Sequence, residues 1–387
     1  PIPIIYCEKC GSVPVPYEDL PVELPYVEKF IPSSTGESPL SNIDEFVKCE
    51  CPKCKGPARR ETDTMPQWAG SCWYYLRYID PKNEMKMVDP EAEKYWMGDN
   101  GVDLYVGGAE HAVLHLLYAR FWHKVLFDIG VVSTPEPFHR LVNQGLILGE
   151  DGQKMSKSRG NVVNPDDVVS EYGADALRLF EMFMGPLEQV KPWSMKGVEG
   201  VYRFLGRVWR LVMEENQEGE WQIQSTIEDK DPSAAVNKTL QQTILKVTED
   251  LEALSFNTAI SQLMVLTNEM TKSGETSRSA LESLILLLSP FAPHLAEELW
   301  NQLGHKDSLA YAEWPEADIS ALVEDEVEYI IQVNGKLRGR INLPAGIPKT
   351  DAEEQVQKHE KLAEWTQNKE IRKVIVVPEK LVNLVVG

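Results

Sequence analysis

Residues 102–144 constrain the fold more than any other stretch. Val102-Asp103-Leu104-Tyr105-Val106 is a short apolar strand that ends in Gly107-Gly108. Residues 110–127 follow with apolar side chains at helical spacing (Leu114, Leu117, Phe121, Val125), and 138–144 reads as a second strand. Strand, glycine turn, helix and strand is the grammar of a doubly wound parallel sheet, whose ligands bind at the carboxyl ends of the strands. An α/β region is therefore expected over 63–196.

The flanking sequence follows other rules. Residues 1–62 are rich in Pro, Gly, Ser and Cys and read as short strands and loops. Over 197–304 helical periodicity dominates and strand signals vanish. An amphipathic helix enters after Ser255, a suitable N-cap; 277–289 follows, and Pro293 opens a helix running to about 303. From 327 alternation returns. Residues 327–333 and 336–343 flank Asn334-Gly335, the strongest short hairpin signal. A polar helix over 351–367 and strands over 373–377 and 381–386 complete a small ββαββ module. The expected division is 1–62, 63–196, a helical bundle over 197–312, an acidic linker over 313–326 and the module over 327–387.

Net charge is -21, from 39 Lys+Arg against 60 Asp+Glu, which argues against a uniformly basic nucleic-acid binder. The acids are segregated, however. Residues 214–231 hold seven acids and one Lys, and 313–328 hold seven acids and no base, whereas 327–387 nets +2. The 43% hydrophobic content suits a globular protein and excludes disorder. Apolar runs such as 284–288 fall far short of the ~20 residues of a membrane span, and no signal segment opens the chain. The expected location is the cytoplasm.

Four of the six cysteines form two pairs, Cys7-x-x-Cys10 and Cys51-x-x-Cys54, each running into a knuckle-like turn. Two such pairs meet the tetrahedral preference of Zn2+, and four thiolates leave no open position, so the role is structural. Free or disulfide-bonded cysteines are the competing reading. Cys49 is a close spare, and Cys72 stands elsewhere.

Gly107-Gly108-Ala109-Glu110-His111 lies where a strand meets a helix, a place where an anion can approach the backbone. His111 and His115, four apart, share a helix face. The strongest segment runs from Gly152 to Asn161: Lys154, Lys157 and Arg159 fall within six residues among small hydroxyl side chains. Such a loop suits phosphate chemistry, where positioning and charge stabilisation do most of the work. A lysine that meets charge developing only in the transition state raises turnover rather than ground-state binding. On composition alone a solvated basic loop is the competing reading.

Lys154-Met155-Ser156-Lys157-Ser158 matches the second signature of the class I aminoacyl-tRNA synthetases letter for letter, and Gly173-Ala174-Asp175-Ala176-Leu177-Arg178 resembles the helix start that follows it in that family. Asp63-Thr64-Met65, the string from Gly70 to Tyr78 and the string from Gly107 to Leu116 resemble the bacterial leucyl-tRNA synthetases over essentially the whole chain. The resemblance implies the second half of a Rossmann-like nucleotide-binding fold with a zinc knuckle, a helical bundle and a C-terminal tRNA-binding module. By resemblance, Trp68, Ser71 and Tyr74 line a leucine pocket with His111 and His115. Gly107, Gly108 and Glu110 face the adenosine of ATP. Lys154 and Lys157, with Ser156 between them, stabilise the departing pyrophosphate, with Mg2+ arriving alongside ATP. Trp68 and Cys72 stand where relatives commonly carry Phe and a second Ser.

For tRNA-Leu, Arg203, Arg207 and Arg210 fall at i, i+4 and i+7 on one helix face. Lys336, Arg338 and Arg340, spaced by two, share one side of a hairpin strand. The family's first signature, His-x-Gly-His, does not occur in the sequence, nor does the inserted editing domain. With an opening Pro1-Ile2-Pro3, this leads to the expectation of a fragment or the smaller subunit of a split enzyme, inactive without an N-terminal half. Alternatives are a non-catalytic tRNA-binding subunit and a valyl- or isoleucyl-type enzyme.

Overall fold

The computed structural model describes residues 1–29, 36–322, 326–366 and 369–387; Val323, Glu324 and Asp325 of the acidic linker and Gln367 of the expected polar helix lie outside the described residues. The chain forms two compact units, Pro1–Leu146 and Ile147–Gly387.

The first unit opens with strands β1 (Ile4–Cys7), β2 (Gly11–Pro14), β3 (Lys48–Glu50) and β4 (Pro57–Arg60). They form an antiparallel sheet in the order β2-β1-β4-β3. Its small core is Ile5, Val13, Val15, Ala58 and the cysteines Cys7 and Cys51. A short helix, α1 (Asp44–Val47), precedes β3. Helices α2 (Trp68–Ser71), α3 (Tyr74–Ile79) and α4 (Pro90–Met97) follow. Asp89 caps α4 by accepting from the N–H groups of Glu91 and Ala92, with Pro90 in the first turn.

Strands β5 (Val102–Gly108) and β6 (Phe138–Gln144) pair in parallel, joined through α5 (His115–Asp128). Gly101 starts the unit with φ +86°, and any Cβ there would sit 2.6 Å from the Pro137 carbonyl oxygen, so only glycine fits.

Two expectations fail here. The strand ends in Gly107-Gly108 as expected, but the helix does not follow directly: a single 3-10 turn spans Ala109–His111, and α5 starts five residues later than expected. Leu114, at φ -113° and ψ -101°, separates turn from helix. The apolar stripe of α5 is also not its buried face. Leu117 and Phe121 are 59% and 67% exposed, while His115, Ala119, His123 and Leu126 are buried. His123 tolerates burial because its ring bonds the Tyr75 hydroxyl and the Thr134 carbonyl.

In the second unit the two-residue strands β7 (Ile147–Leu148) and β8 (Lys191–Pro192) pair in parallel around α6 (Pro165–Tyr172) and α7 (Ala174–Phe183). Then come α8 (Met195–Val212), α9 (Ala234–Glu252), α10 (Phe256–Ser273), α11 (Arg278–Leu288) and α12 (Pro293–Gln302). One continuous core joins α6 and α7 to these five helices. Strand signals do not vanish here: β9 (Met213–Glu215) and β10 (Trp221–Ile223) form a hairpin through the acidic stretch. Alternation over three residues was too short to stand out.

The last sheet, β12-β11-β14-β13, comprises β11 (Glu326–Val333), β12 (Lys336–Pro344), β13 (Ile371–Val377) and β14 (Leu381–Val386), with β11 and β14 parallel. Asn334 and Gly335 both have positive φ, the geometry of a type I′ turn. The expected single polar helix is two, α13 (Lys349–Gln357) and α14 (Leu362–Thr366). No helix among the described residues is long and apolar enough to cross a membrane.

Candidate functional site

In the first unit Trp68, Ser71, Tyr74, His111 and His115 converge. α2 and α3 present the first three, and the turn after β5 and the start of α5 present the histidines. The Trp68 and His111 rings meet edge to face at 5.6 Å, and Tyr74 lies 5.9 Å from His115. Tyr105, read in the sequence only as part of an apolar strand, completes the wall. Its ring stacks on Phe138 at 3.8 Å and its hydroxyl lies 2.6 Å from His115 Nε2.

The hydrogen bonds fix a direction. Tyr74 Oη donates to Tyr105 Oη at 2.8 Å, which leaves the Tyr105 proton for His115 Nε2. His115 then carries its proton on Nδ1 and offers it to Ser71 Oγ, 3.3 Å away, while Ser71 turns its own proton toward the Trp68 carbonyl. Burial, and then His111, hold the His115 pKa below its ordinary value, which keeps the ring neutral as that tautomer requires. Burial chiefly, then the bond from Tyr74, raises the Tyr105 phenol, so it stays a donor. His111 Nδ1 is buried without a partner among the described residues. The result is an aromatic hollow with one neutral, oriented polar chain along its wall. Beside it the Glu110 carboxylate lies against Gly108, where a Cβ would push this flexible side chain aside, whereas Gly107 is open.

The lysine loop belongs to the second unit and is closed by one residue. Asn161 Oδ1 accepts from the Ser156 N–H at 2.9 Å, and its amide donates to Asp151 Oδ1 at 3.1 Å and more weakly toward the Lys154 carbonyl. Asp151 also accepts from the Gln153 N–H, and these bonds hold its carboxyl below the usual range. Met155 packs into the helical core while Lys154 and Lys157 are exposed. Neither lysine has an ion-pair partner among the described residues. Ser156 Oγ bonds Ser158 Oγ at 3.2 Å. Two uncompensated ammonium groups thus project from a pinned loop, a suitable grip for a polyphosphate.

The Asp175 carboxylate, in the string that follows the loop, reaches across to α12. It accepts from the Leu295 N–H at 2.7 Å and from His294 Nδ1 at 2.8 Å, while Arg178 Nη2 donates to the Pro290 carbonyl.

The sulfur atoms of Cys7, Cys10, Cys51 and Cys54 all lie within 4.8 Å of one another. Regular Zn–S tetrahedra place sulfurs about 3.8 Å apart, from bonds of about 2.3 Å. Cys7 and Cys54 stand at 3.5 Å, far beyond a disulfide length, and all six cysteines are free. Backbone N–H groups of the second knuckle, Cys54 first, pull the Cys51 thiol down to about 7. Hydrogen bonding to Cys54 and burial push Cys10 up to about 12. Cys49 lies outside the cluster, and Cys72 donates to the Ala69 carbonyl.

Of the basic residues, Arg203 and Arg210 are exposed and Arg207 is half-buried, with its Nε buried and unpartnered. Lys336, Arg338 and Arg340 are all exposed. The sequence argument placed all three on one side, but the ladder shifts register between Ile331 and Gln332, leaving Arg338 without an opposite residue. Period-two alternation therefore does not run from Lys336 through the bulge to Arg338. Arg340 also pairs with Glu328 at 2.9 Å.

Comparison with known proteins agrees with these features. Residues 47–191 match the family "tRNA synthetases class I (I, L, M and V)", and residues 234–354 match the "Anticodon-binding domain of tRNA ligase". Leucine–tRNA ligases of Chlorobaculum parvum and Leptospira biflexa are 58% and 55% identical across 100% of this chain, which covers 46% and 44% of theirs. The LeuRS of Agrobacterium radiobacter K84, solved as a ternary complex with tRNA and LeuAMS, superimposes with a TM-score of 0.77 at 34% identity, over 100% of this chain and 50% of that one. The chain thus spans about half the length of the curated relatives it matches. Over that span it is a homologue of the leucine–tRNA ligases, with the class I synthetase fold.

Proposed function

We propose that this chain supplies the lysine-loop half of a leucine–tRNA ligase, the enzyme that joins leucine to tRNA-Leu with conversion of ATP to AMP and pyrophosphate. The observation that carries the reading is the pinned loop with two unpaired lysines in a chain so similar to leucine–tRNA ligases. In the first step a leucine carboxylate oxygen attacks the α-phosphorus of ATP, and the bond to pyrophosphate breaks. Lys154 and Lys157 neutralise the charge gathering on the departing pyrophosphate, with Ser156 shaping the loop between them, and Mg2+ accompanies ATP as part of the substrate. A tRNA ribose hydroxyl then displaces AMP.

In this reading the leucine side chain fills the hollow of Trp68, Ser71, Tyr74 and His111; burial and His111 favour a neutral His115, which Tyr105 orients, so that no charge faces the aliphatic group. Gly107, Gly108 and Glu110 take the adenosine. Zn2+ held by Cys7, Cys10, Cys51 and Cys54 would cross-link two hairpin turns and has no part in the chemistry. Arg203, Arg207, Arg210, Lys336, Arg338 and Arg340 would meet tRNA-Leu. The layout is then a zinc knuckle (1–62), half of a nucleotide-binding fold (63–196), a bundle (197–312), a linker (313–326) and a tRNA-binding module (327–387), acting in the cytoplasm.

The remaining half of the site belongs to the rest of a relative-length protein, whether in the same chain or a separate subunit. The exposed apolar stripe of α5 is the surface it would cover. Leucine-dependent ATP–pyrophosphate exchange tests this: no exchange by this chain alone, and exchange once the complementary half is supplied. Exchange by this chain alone refutes the half-site reading, and preference for valine or isoleucine refutes the leucine assignment.

A further inference from the structure

The second unit contains a cavity of about 630 Å³ lined by Tyr172, Tyr202, Arg203, Arg207, Arg210 and Trp221, with Trp209 and Leu295 behind them. Most of this lining comes from α8 and the β9–β10 hairpin, between the two family-matched segments. Its composition is unusual for a chain of net charge -21. Three guanidinium groups converge on it, and none has an ion-pair partner among the described residues. Arg203 and Arg210 spend one donor each on helix carbonyls, those of Glu199 and Gly206. Arg207 Nε is buried with no acceptor among the described residues, and its guanidinium carbon lies 5.9 Å from the Phe204 ring centre. Guanidinium groups without carboxylate partners favour an occupant that brings anionic acceptors.

The aromatic groups narrow the choice. Trp221 meets Trp209 edge to face at 5.8 Å, and Tyr202 meets Tyr172 edge to face at 5.6 Å. Trp221 remains 44% exposed and Tyr202 50% exposed, so ring surface stays open to stacking. Acids also stand near: Glu171 and Glu199 raise the Tyr172 hydroxyl, and Trp221 follows Glu220 and pairs in register with Glu215. None of these carboxylates forms an ion pair with the three arginines among the described residues. Flat, open rings beside unpaired guanidiniums suit an unstacked nucleotide of RNA, with its base on the aromatic face and phosphates on the arginines. An acidic peptide would satisfy the arginines and leave the rings unused.

We infer that this cavity seats one unstacked nucleotide of the bound tRNA against Trp221 and Tyr202, held through its phosphates by Arg203, Arg207 and Arg210. The inference rests on the tRNA-binding reading of α8. The test titrates a tRNA-Leu transcript onto the chain by fluorescence anisotropy at several salt concentrations. Trp221→Ala should weaken binding roughly fivefold to a hundredfold with the salt slope unchanged, because stacking displaces no counterions. Trp221→Phe should bind like the parent, and Tyr202→Ala should weaken binding at least threefold. Each Arg→Ala change should lower the magnitude of the salt slope by about 0.7–0.9. If the arginine variants respond while Trp221→Ala and Tyr202→Ala bind at full affinity, stacking is refuted and the tRNA reading stands. If no variant responds, the tRNA reading of α8 falls with it. Should Trp221→Ala not fold, full affinity in Tyr202→Ala alone overturns the proposal.

Discussion

Asp175 joins two helices that are far apart in sequence, and its removal should be measurable in this chain without any partner. Its carboxylate, 8% exposed, accepts from the Leu295 N–H, from His294 Nδ1 and at 3.4 Å from the His294 N–H. These are the opening groups of α12, whose own cap residue, Ala292, has no side-chain acceptor to offer. Asp175 is therefore an N-cap supplied from another helix. Cap loss costs about 0.5–2 kcal/mol, and hydrogen bonds to a charged group are worth about 1.5–3 kcal/mol each. These figures overlap, and the largely exposed His294 ring can regain water. Asp175→Ala should then cost about 2–4 kcal/mol. Asp175→Asn, which keeps one acceptor oxygen, should cost about half as much. Arg178→Ala, losing a single exposed bond to Pro290, should cost about 0.5–1.5 kcal/mol. Urea unfolding followed by helical circular dichroism reads all three, with the Asp175→Ala midpoint lower by about 1 M. A loss below about 0.5 kcal/mol in Asp175→Ala would refute the cross-helix cap.

Three further outcomes are expected. In the complemented enzyme, Lys154→Ala or Lys157→Ala should lower kcat for pyrophosphate exchange about 10²–10³-fold with little change in leucine KM, read by steady-state kinetics. Metal analysis should find one Zn2+ per chain, lost in Cys51→Ser. Zinc competes with protons for thiolates, so affinity must fall as pH falls; below about 7, where Cys51 too becomes protonated, the fall should steepen by about tenfold per pH unit in a chelator competition titration. Tyr105→Phe removes the donor that fixes His115, so leucine KM should rise several-fold and Tyr105→His should not restore it.

Much of this architecture is legible in the sequence because local rules dictate it. Gly-Gly at the end of an apolar run, Asn334-Gly335 between alternating segments, and the caps Asp89, Asn164, Ser194, Ser233 and Ser277 all act over a few residues. Failures occur where distant residues decide. The α5 stripe of Leu117 and Phe121 reads as a core face, yet the buried side carries His115 and His123, whose polar atoms are satisfied by partners from other elements. Tyr105 reads as strand core because its period hides its hydroxyl. Asp175 sits inside a recognisable string, but its donors lie up to 120 residues away. For Lys336, Arg338 and Arg340 the limit is of another kind: a one-residue bulge interrupts the period-two pattern between Lys336 and Arg338, and no sequence pattern signals it.

The charge of the chain is best understood group by group. Net charge opposes RNA binding only if the acids lie where RNA would lie. Much of the acidity is concentrated in 214–231 and 313–328, and the first of these stretches carries Trp221 into the α8 cavity, so its acids bear directly on what that cavity holds. Elsewhere acids are spent on structure: Asp175 caps α12, Asp89 caps α4, and Glu275 accepts from the N–H groups of Ser233, Thr276 and Ser277. Most bases at the candidate sites are not spent this way, Arg340 with its Glu328 partner excepted. Lys154, Lys157, Arg203, Arg207 and Arg210 have no carboxylate partner among the described residues, whereas Arg120 and Lys124 share Glu136. At a Debye length of about 8 Å, an exposed cation responds to its near neighbours and barely to a distant acidic loop. Neutralising the cations of the lysine loop and of α8, which hold no carboxylate in place, should change affinity and salt slope while leaving folding stability nearly untouched.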